Sequence, residues 1–323
     1  MALTGQEKDK QDVDNLTHSL VGALVGQAGL KRRTGLAMPA LIIGANLPDI
    51  DAIYALGGTT TALAMHRGIT HGPLALLLFP LLLAGLLYGL DRWQSRRGRR
   101  PFGRLPVRFA WLYALALLGC LTHVGLDWLS SHGVRLLEPF SSRWFYGDLI
   151  YIIDIWMLLG FGLALWLSRR REVRGGNWRR PARVALAATL AYVGVNGVIT
   201  HIHETRALAG SSGQKIIIAD ELPVAFWRRE MISGRGDGIW TVGNRRYGDI
   251  LLAQCDLAKA RRIDPRIGAY LFWARAPFVW RGERGWMLGD ARYAGEMAEV
   301  VVALPDGVCP PDRKPNSGDV KAQ

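Results

Sequence analysis

Residues 66–72 read HRGITHG: two histidines five positions apart around an arginine, a glycine and a threonine, with Pro73 opening a run of leucines. A second cluster, THVGLDW (122–128), sets His123 and Asp127 four apart. On a helix that spacing puts both on one face, one turn apart, where they can share a divalent metal. A third, ANLPDID (45–51), carries Asp49 and Asp51 behind Pro48, a residue that should end the preceding helix. If that stretch is extended, the two aspartates point the same way. His18, in NLTHSL, adds another imidazole. Imidazole with carboxylate is a ligand set for zinc, manganese or iron. The set His18, Asp49, Asp51, His66, His71, His123 and Asp127 exceeds what one closed tetrahedral site needs. It suits an open catalytic site holding one or two ions, zinc first, manganese or iron next. A metal here lowers the pKa of a bound water and polarises a phosphoryl or acyl oxygen. Arg67 is placed to hold an anionic group, because guanidinium matches phosphate or carboxylate as a fork. Arg67 and Asp51 are the expected catalytic groups.

The elements that must position these residues are apolar. Six apolar segments stand out, at 16–30, 36–47, 73–90, 108–127, 149–167 and 183–200. The first two are short against the ~20 residues of a simple span, and are expected to be tilted, extended by polar ends or re-entrant. Arginines crowd alternate loops: Arg92, Arg96, Arg97, Arg99, Arg100, Arg104 and Arg108 in one, Arg169, Arg170, Arg171, Arg174, Arg179, Arg180 and Arg183 in another. Lys31, Arg32 and Arg33 follow the first segment. The intervening loops carry only Arg67, Arg135 and Arg143. If basic loops face the cytoplasm, the N-terminus and everything after residue 200 lie outside. All seven histidines then fall at the outer boundary, with the aspartates beside them. Ionisable groups beside a bilayer are costly, so their gathering points to a function.

Other polar residues have simpler roles. His132, His201 and His203 are expected to hydrogen-bond neighbours, and Asp14 and Asn15 to cap the first apolar helix. Asp148 suits a cap for the fifth segment. Asp154, inside that apolar run, is either functional or paired with an arginine of a facing helix. Trp128, Trp144 and Trp156 read as interfacial anchors.

The net charge of +13 does not call for nucleic acid, since the arginines fall in blocks between apolar runs. Cys120 sits in an apolar run as a small core residue. Cys255 and Cys309 can pair if their part of the chain is extracytoplasmic, although spacing alone cannot establish it. The polar N-terminus lacks the basic region of a secretory signal, so the first apolar run is expected to be retained. After residue 200, short β-prone runs such as KIIIA, GIWTVG and AEVVVALP are broken by Gly, Pro and Asp. The expected fold is an all-α polytopic membrane bundle of about six apolar helices followed by a small β-rich extracytoplasmic domain. The boundaries are a polar tail (1–13), a transmembrane metal-site domain (14–203), the β-rich domain (204–309) and a disordered tail (310–323).

Four motifs in order, DNLTHSLVGALVGQAGL (14–30), GANLPDID (44–51), HRGITHG (66–72) and THVGLDWLSSHGVRLLEPFSSRWFYGDLIYIIDIW (122–156), resemble the YdjM-like membrane-bound, metal-dependent hydrolases of bacteria. The resemblance implies an inner-membrane protein, and carries over onto His18, Asp49, Asp51, His66, His71, His123 and Asp127 as metal ligands. Gly72 departs from it, since the family usually has serine there, and Ile155 stands where it tends to proline. His132 also stands where another residue type is common.

The expected function is a metal-dependent hydrolase of the bacterial inner membrane, its site at the outer face. It acts through metal-activated water on a phosphoester or ester of a small, lipid-like amphiphile, with the bilayer as its other partner and no nucleic acid. The alternatives are a metal or ion transporter, which places ligands at mid-membrane depth, and a non-catalytic membrane anchor whose C-terminal domain binds a partner.

Overall fold

Gly5–Gln27 forms one continuous helix, α1, which runs through Asp14 and Asn15, so neither is its cap. The computed structural model describes residues 5–57, 59–210, 213, 216–283, 285–296 and 301–311. The expected tail at 1–13 thus joins α1 from Gly5 onward, with residues 1–4 outside the described part. Residues 312–323 of the expected disordered tail also lie outside it. The chain divides into two units, one holding residues up to His203 with Ala219–Arg229, the other Glu204–Ile218 and Glu230 onward.

In the first unit, Ala37–Gly44 (α2) is followed by a 3-10 stretch at Pro48–Gly57 and the short helix Thr59–Met65 (α3). Pro73–Arg96 (α4) starts with proline in its first turn, where no N–H is needed. Phe109–Leu129 (α5), Ile155–Val173 (α6) and, as far as His203, Arg179–Gly210 (α7) complete the helices of the unit. α5 packs on α4 and α2, α2 on α1, and α1 on α6. Leu24, Leu41, Leu112, Leu115 and Phe161 fill the core between them.

Among the described residues three helices, α4, α5 and α7, are long and apolar enough to cross a membrane, not six. The segment at 36–47 yields only the eight residues of α2. The segment at 149–167 turns helical only at Ile155, because Asp154 caps it by accepting from the Met157 N–H. The N–H groups of Leu149 and Ile150 instead donate to the Leu129 carbonyl, at 2.9 and 3.2 Å. Asp154 therefore stands at the N-terminus of α6 as its cap, and its other oxygen accepts from Tyr192 at 2.7 Å, with no arginine paired to it among the described residues. The basic stretches 91–108 and 168–183 lie at the ends of α4–α7 away from the histidines. There Asp91 is held by Arg100 and Arg104, and Lys31 by Glu172.

Residues 219–229 return to the first unit. The Arg229 guanidinium donates to Asn196 Oδ1 (2.9 Å), Thr200 Oγ1 (3.0 Å) and the Leu149 carbonyl (3.2 Å), tying this loop to α7. Beyond α7 the described residues form two small sheets, as the β-prone runs predict, together with short helices. Strands Ile216–Glu221 (β1), Arg229–Gly234 (β2), Trp240–Val242 (β3) and Arg245–Tyr247 (β4) form a sheet in that order. After Leu257–Ile263 (α8) and Pro265–Trp273 (α9), Pro277–Gly282 (β5), Gly285–Asp290 (β6) and Val302–Ala303 (β7) form a second. Trp240, Ile232 and Phe278 are buried in a common core. Cys255 and Cys309 form a disulfide, and Cys120 is a buried free thiol.

The contact that matters most for the site is α2 against α5. A Cβ on Gly119 would stand 2.7 Å from the Leu41 carbonyl oxygen and 2.8 Å from the Ala45 nitrogen. On Gly125, one helix face away, it would meet nothing within 4 Å. Gly119→Ala is expected to destabilise the protein by about 1–3 kcal/mol through overpacking against rigid backbone. Gly125→Ala should leave it unchanged. Thermal unfolding of the detergent-solubilised variants checks both.

Candidate metal centre

The α5 face that carries Gly119 carries His123 one turn later, buried against the end of α2. Its Nδ1 lies 2.7 Å from the Ala45 carbonyl oxygen, which can only accept, so Nδ1 carries the proton. The Nε2 lone pair then faces inward. His71 is set in a similar way: its Nδ1 lies 2.9 Å from Thr70 Oγ1, whose hydroxyl donates to Asp51 Oδ2 at 3.4 Å. With its hydrogen given to Asp51, the Thr70 oxygen accepts from His71 Nδ1, and His71 Nε2 is left as a lone pair. Such partners on the far nitrogen are what orient metal-binding histidines.

The two Nε2 atoms meet 3.3 Å apart. Asp127 Oδ2 stands 3.0 Å from His71 Nε2 and 3.3 Å from His123 Nε2, and Asp49 Oδ1 stands 3.3 Å from His123 Nε2. One candidate ligand atom from each of Asp49, His71, His123 and Asp127 falls within 4.8 Å of the others. Asp49 Oδ2 and Asp127 Oδ2 are buried without a hydrogen-bond donor in the protein. Converging acceptors of this kind are costly to bury unless a cation satisfies them. Two neutral imidazoles and two carboxylates match a divalent ion in charge and in donor number. The four residues thus form a cluster that can hold a metal. With His123 protonated instead, burial raises the Asp49 carboxyl, but the hydrogen bond and charge of His123 outweigh it and bring its pKa to about 2. Asp49 is ionised at neutral pH in that state too.

The remaining expected ligands flank this cluster. His18 stacks on His123 with ring centroids 3.8 Å apart, and its Nε2 lies 3.5 Å from Asp127 Oδ1. Arg67 Nη2 reaches the same oxygen at 3.2 Å. Asp127 therefore turns one oxygen to Arg67 and His18 and the other to the histidine pair. Asp51 and Asp49 do not point the same way, because Pro48–Gly57 is a 3-10 turn and not an extended segment. Asp49 faces the cluster, whereas Asp51 lies under the HRGITHG loop, accepting from the Arg67 N–H at 2.7 Å. His66 sits at the rim, 3.8 Å from Asp51 Oδ2, with 41% of its side chain exposed. His132, His201 and His203 are outside the cluster.

Three positioning groups were not singled out by the sequence. Thr70 and the Ala45 carbonyl set the imidazoles. Arg135 holds the loop, donating to the Ala64 and His66 carbonyls at 2.8 and 3.0 Å, while its own N–H bonds the Arg67 carbonyl. Arg67 needs this support, since its φ of 48° is left-handed and costly for a non-glycine residue. Only the scarcity of basic residues in the loop at 128–148 marked Arg135 in the sequence. Thr70→Val removes the acceptor behind His71 and is expected to weaken zinc binding about 10–100-fold, with Thr70→Ser near wild type. Competition against a fluorescent chelator measures this.

The sequence profile described as YdjM inner membrane protein matches residues 13–203. The chain is also similar to Uncharacterized protein YfhP of Bacillus subtilis (strain 168), with 27% identity over 166 residues. That alignment takes in 48% of this chain and 47% of the relative, so the chain spans about half the length of the curated protein it matches. No solved structure matches it. The profile match takes in all of α2–α6, the three candidate spans to within a few residues of the end of α7, and every residue of the cluster: the chain belongs to the YdjM inner membrane protein family.

Proposed function

We propose that the protein is a metal-dependent hydrolase of the bacterial inner membrane, acting at the outer face on a phosphoester or ester of a lipid-like substrate. The observation that carries this reading is the convergence of one ligand atom from each of Asp49, His71, His123 and Asp127 within 4.8 Å, with a buried, unpartnered oxygen on both carboxylates, at the helix ends opposite the arginine-rich loops. Asp49, His71, His123 and Asp127 would hold the ion, zinc by preference, with manganese or iron compatible with the same ligands. Such an ion supplies an acidified water and polarises the substrate oxygen. Arg67, against Asp127, orients that carboxylate and presents positive charge to an anionic group beside the metal. Asp51 keeps the Arg67 backbone and His71 in place. His18, against Asp127 and His123, and His66, against Asp51, are the residues a second ion would draw on.

The outer-face assignment rests on the arginine bias of the loops. The Cys255–Cys309 disulfide supports it, because such bonds persist in oxidising compartments. The alternative transport reading leaned on Asp154, whose two oxygens accept from the Met157 N–H and the Tyr192 hydroxyl.

Metal analysis of gently purified protein should find at least one ion per chain. A His71→Ala, His123→Ala, Asp127→Ala variant should lose it while keeping its helical circular dichroism. Wild-type metal content in that variant would sink the proposal. Hydrolysis of bis(p-nitrophenyl) phosphate or a p-nitrophenyl ester should stop with chelator and return with zinc or manganese. For orientation, Ser142→Cys should react with an impermeant maleimide on spheroplasts and Ser95→Cys only after lysis; the reverse pattern puts the site in the cytoplasm.

A further inference from the structure

Between α6 and α7 lies an apolar groove with a volume of about 460 Å³. It is lined by Gly160, Phe161, Ala164 and Leu167 of α6 and by Ala185 and Ala188 of α7. α7 is barely covered along its apolar stretch, with 11% of that window buried, against 39% for α5. The groove therefore opens sideways, toward the hydrocarbon that surrounds a spanning helix. It runs from Trp156 to Leu167 along α6, about 17 Å at roughly 1.5 Å per residue. That is close to the ~15 Å hydrocarbon depth of a single leaflet.

The upper end of the groove is polar, and it adjoins the metal cluster. Tyr192 lines the groove there, and its hydroxyl donates to Asp154. Asp154 and Met157 line a second, small cavity whose other walls include His18 and Asp127. Met157 faces both spaces. The Asp154–Tyr192 pair thus stands between a leaflet-long apolar slot and the side chains beside the candidate ligands.

We infer that this groove is the chain-binding subsite of the metal centre, holding one acyl chain of a phospholipid of the same leaflet with its headgroup at the Asp154–Tyr192 end. The assignment rests on the hydrolase reading for its purpose, but not for its test. The length, the lateral opening and the polar upper end together fit an acyl chain attached to a headgroup. A helix of a second chain would need a longer, two-leaflet seam.

The probe is phosphatidylglycerol carrying a diazirine at mid-chain, in vesicles of phosphatidylethanolamine and phosphatidylglycerol containing the full-length protein. Photolysis and peptide mapping should place the main adducts on α6 and α7 groove residues. Gly160→Trp should cut that labelling at least fivefold, because a Cβ there meets nothing within 4 Å and the ring can enter the groove without displacing backbone. Ala188→Phe, from the opposite wall, should do the same. Leu86→Trp, on an exposed face of α4, should not. Metal content is read on every sample. Groove labelling equal to that of the exposed α4 face, or unchanged by both filling variants, overturns the inference. So does a crosslink joining two protein chains through the groove. Specific labelling of protein that binds no metal would uphold the groove while removing the hydrolase reading, so the two failures are distinguishable.

Discussion

The hydrogen bond from His123 Nδ1 to the Ala45 carbonyl is the constraint on which the centre depends. It fixes which nitrogen of His123 faces inward, and it exists only because α2 and α5 approach to backbone contact. That approach is made possible by glycine on both sides: a Cβ on Gly44 would stand 2.6 Å from the Ala116 carbonyl oxygen, and Gly119 meets α2 in return. In a membrane, where helices gain little from hiding apolar surface, small residues that admit close packing are a main source of helix association. Here the same packing also sets a histidine's tautomer. α2 is too short to span a bilayer and is retained as a wedge that brings one carbonyl to one imidazole.

A second constraint acts on the loop. Arg67 adopts a left-handed backbone while its N–H is held by Asp51 and its carbonyl by the Arg135 N–H. The side chain of Arg135 takes the carbonyls on the approach to it. A strained residue persists when its surroundings over-determine it. The result is that the guanidinium of Arg67 lies over Asp127 and His71 faces the cluster, from a stretch of only five residues.

The chemistry was more legible in the sequence than the architecture. His123 and Asp127 follow from helical spacing, and the histidines gather on one side because the arginine blocks mark the other. Asp49 and Asp51 were harder: alternation holds for a strand, but the proline there starts a 3-10 turn, which rotates the second carboxylate behind the histidines. Apolar runs overcount spans, because a run reports only an apolar environment. Residues 149–153 are apolar apart from the Tyr151 hydroxyl, yet serve as a connection held to the Leu129 carbonyl. Asp154 looked intramembrane for the same reason. Arg135 and Arg229 hold loops far away in sequence, by contacts to backbone carbonyls that carry no local pattern.

Gly72, where the family resemblance implies serine, is explained by the same long-range packing. It precedes α4 in extended conformation and provides no side-chain cap. A Cβ there would stand 1.9 Å from the Glu138 carbonyl oxygen, so the loop that carries Arg135 occupies the space a serine would need. Glu138 in turn pairs with Arg135 through Oε1 at 3.0 Å. The glycine and the strap are therefore linked: the first leaves room for the second, and the second pins Arg67. A serine hydroxyl could cap the first turn of α4 for about 1 kcal/mol. Overpacking against the backbone of the 128–148 loop costs about 1–3 kcal/mol, enough to offset that gain. The exchange of a cap for a close backbone contact thus keeps the centre rigid from outside the membrane spans.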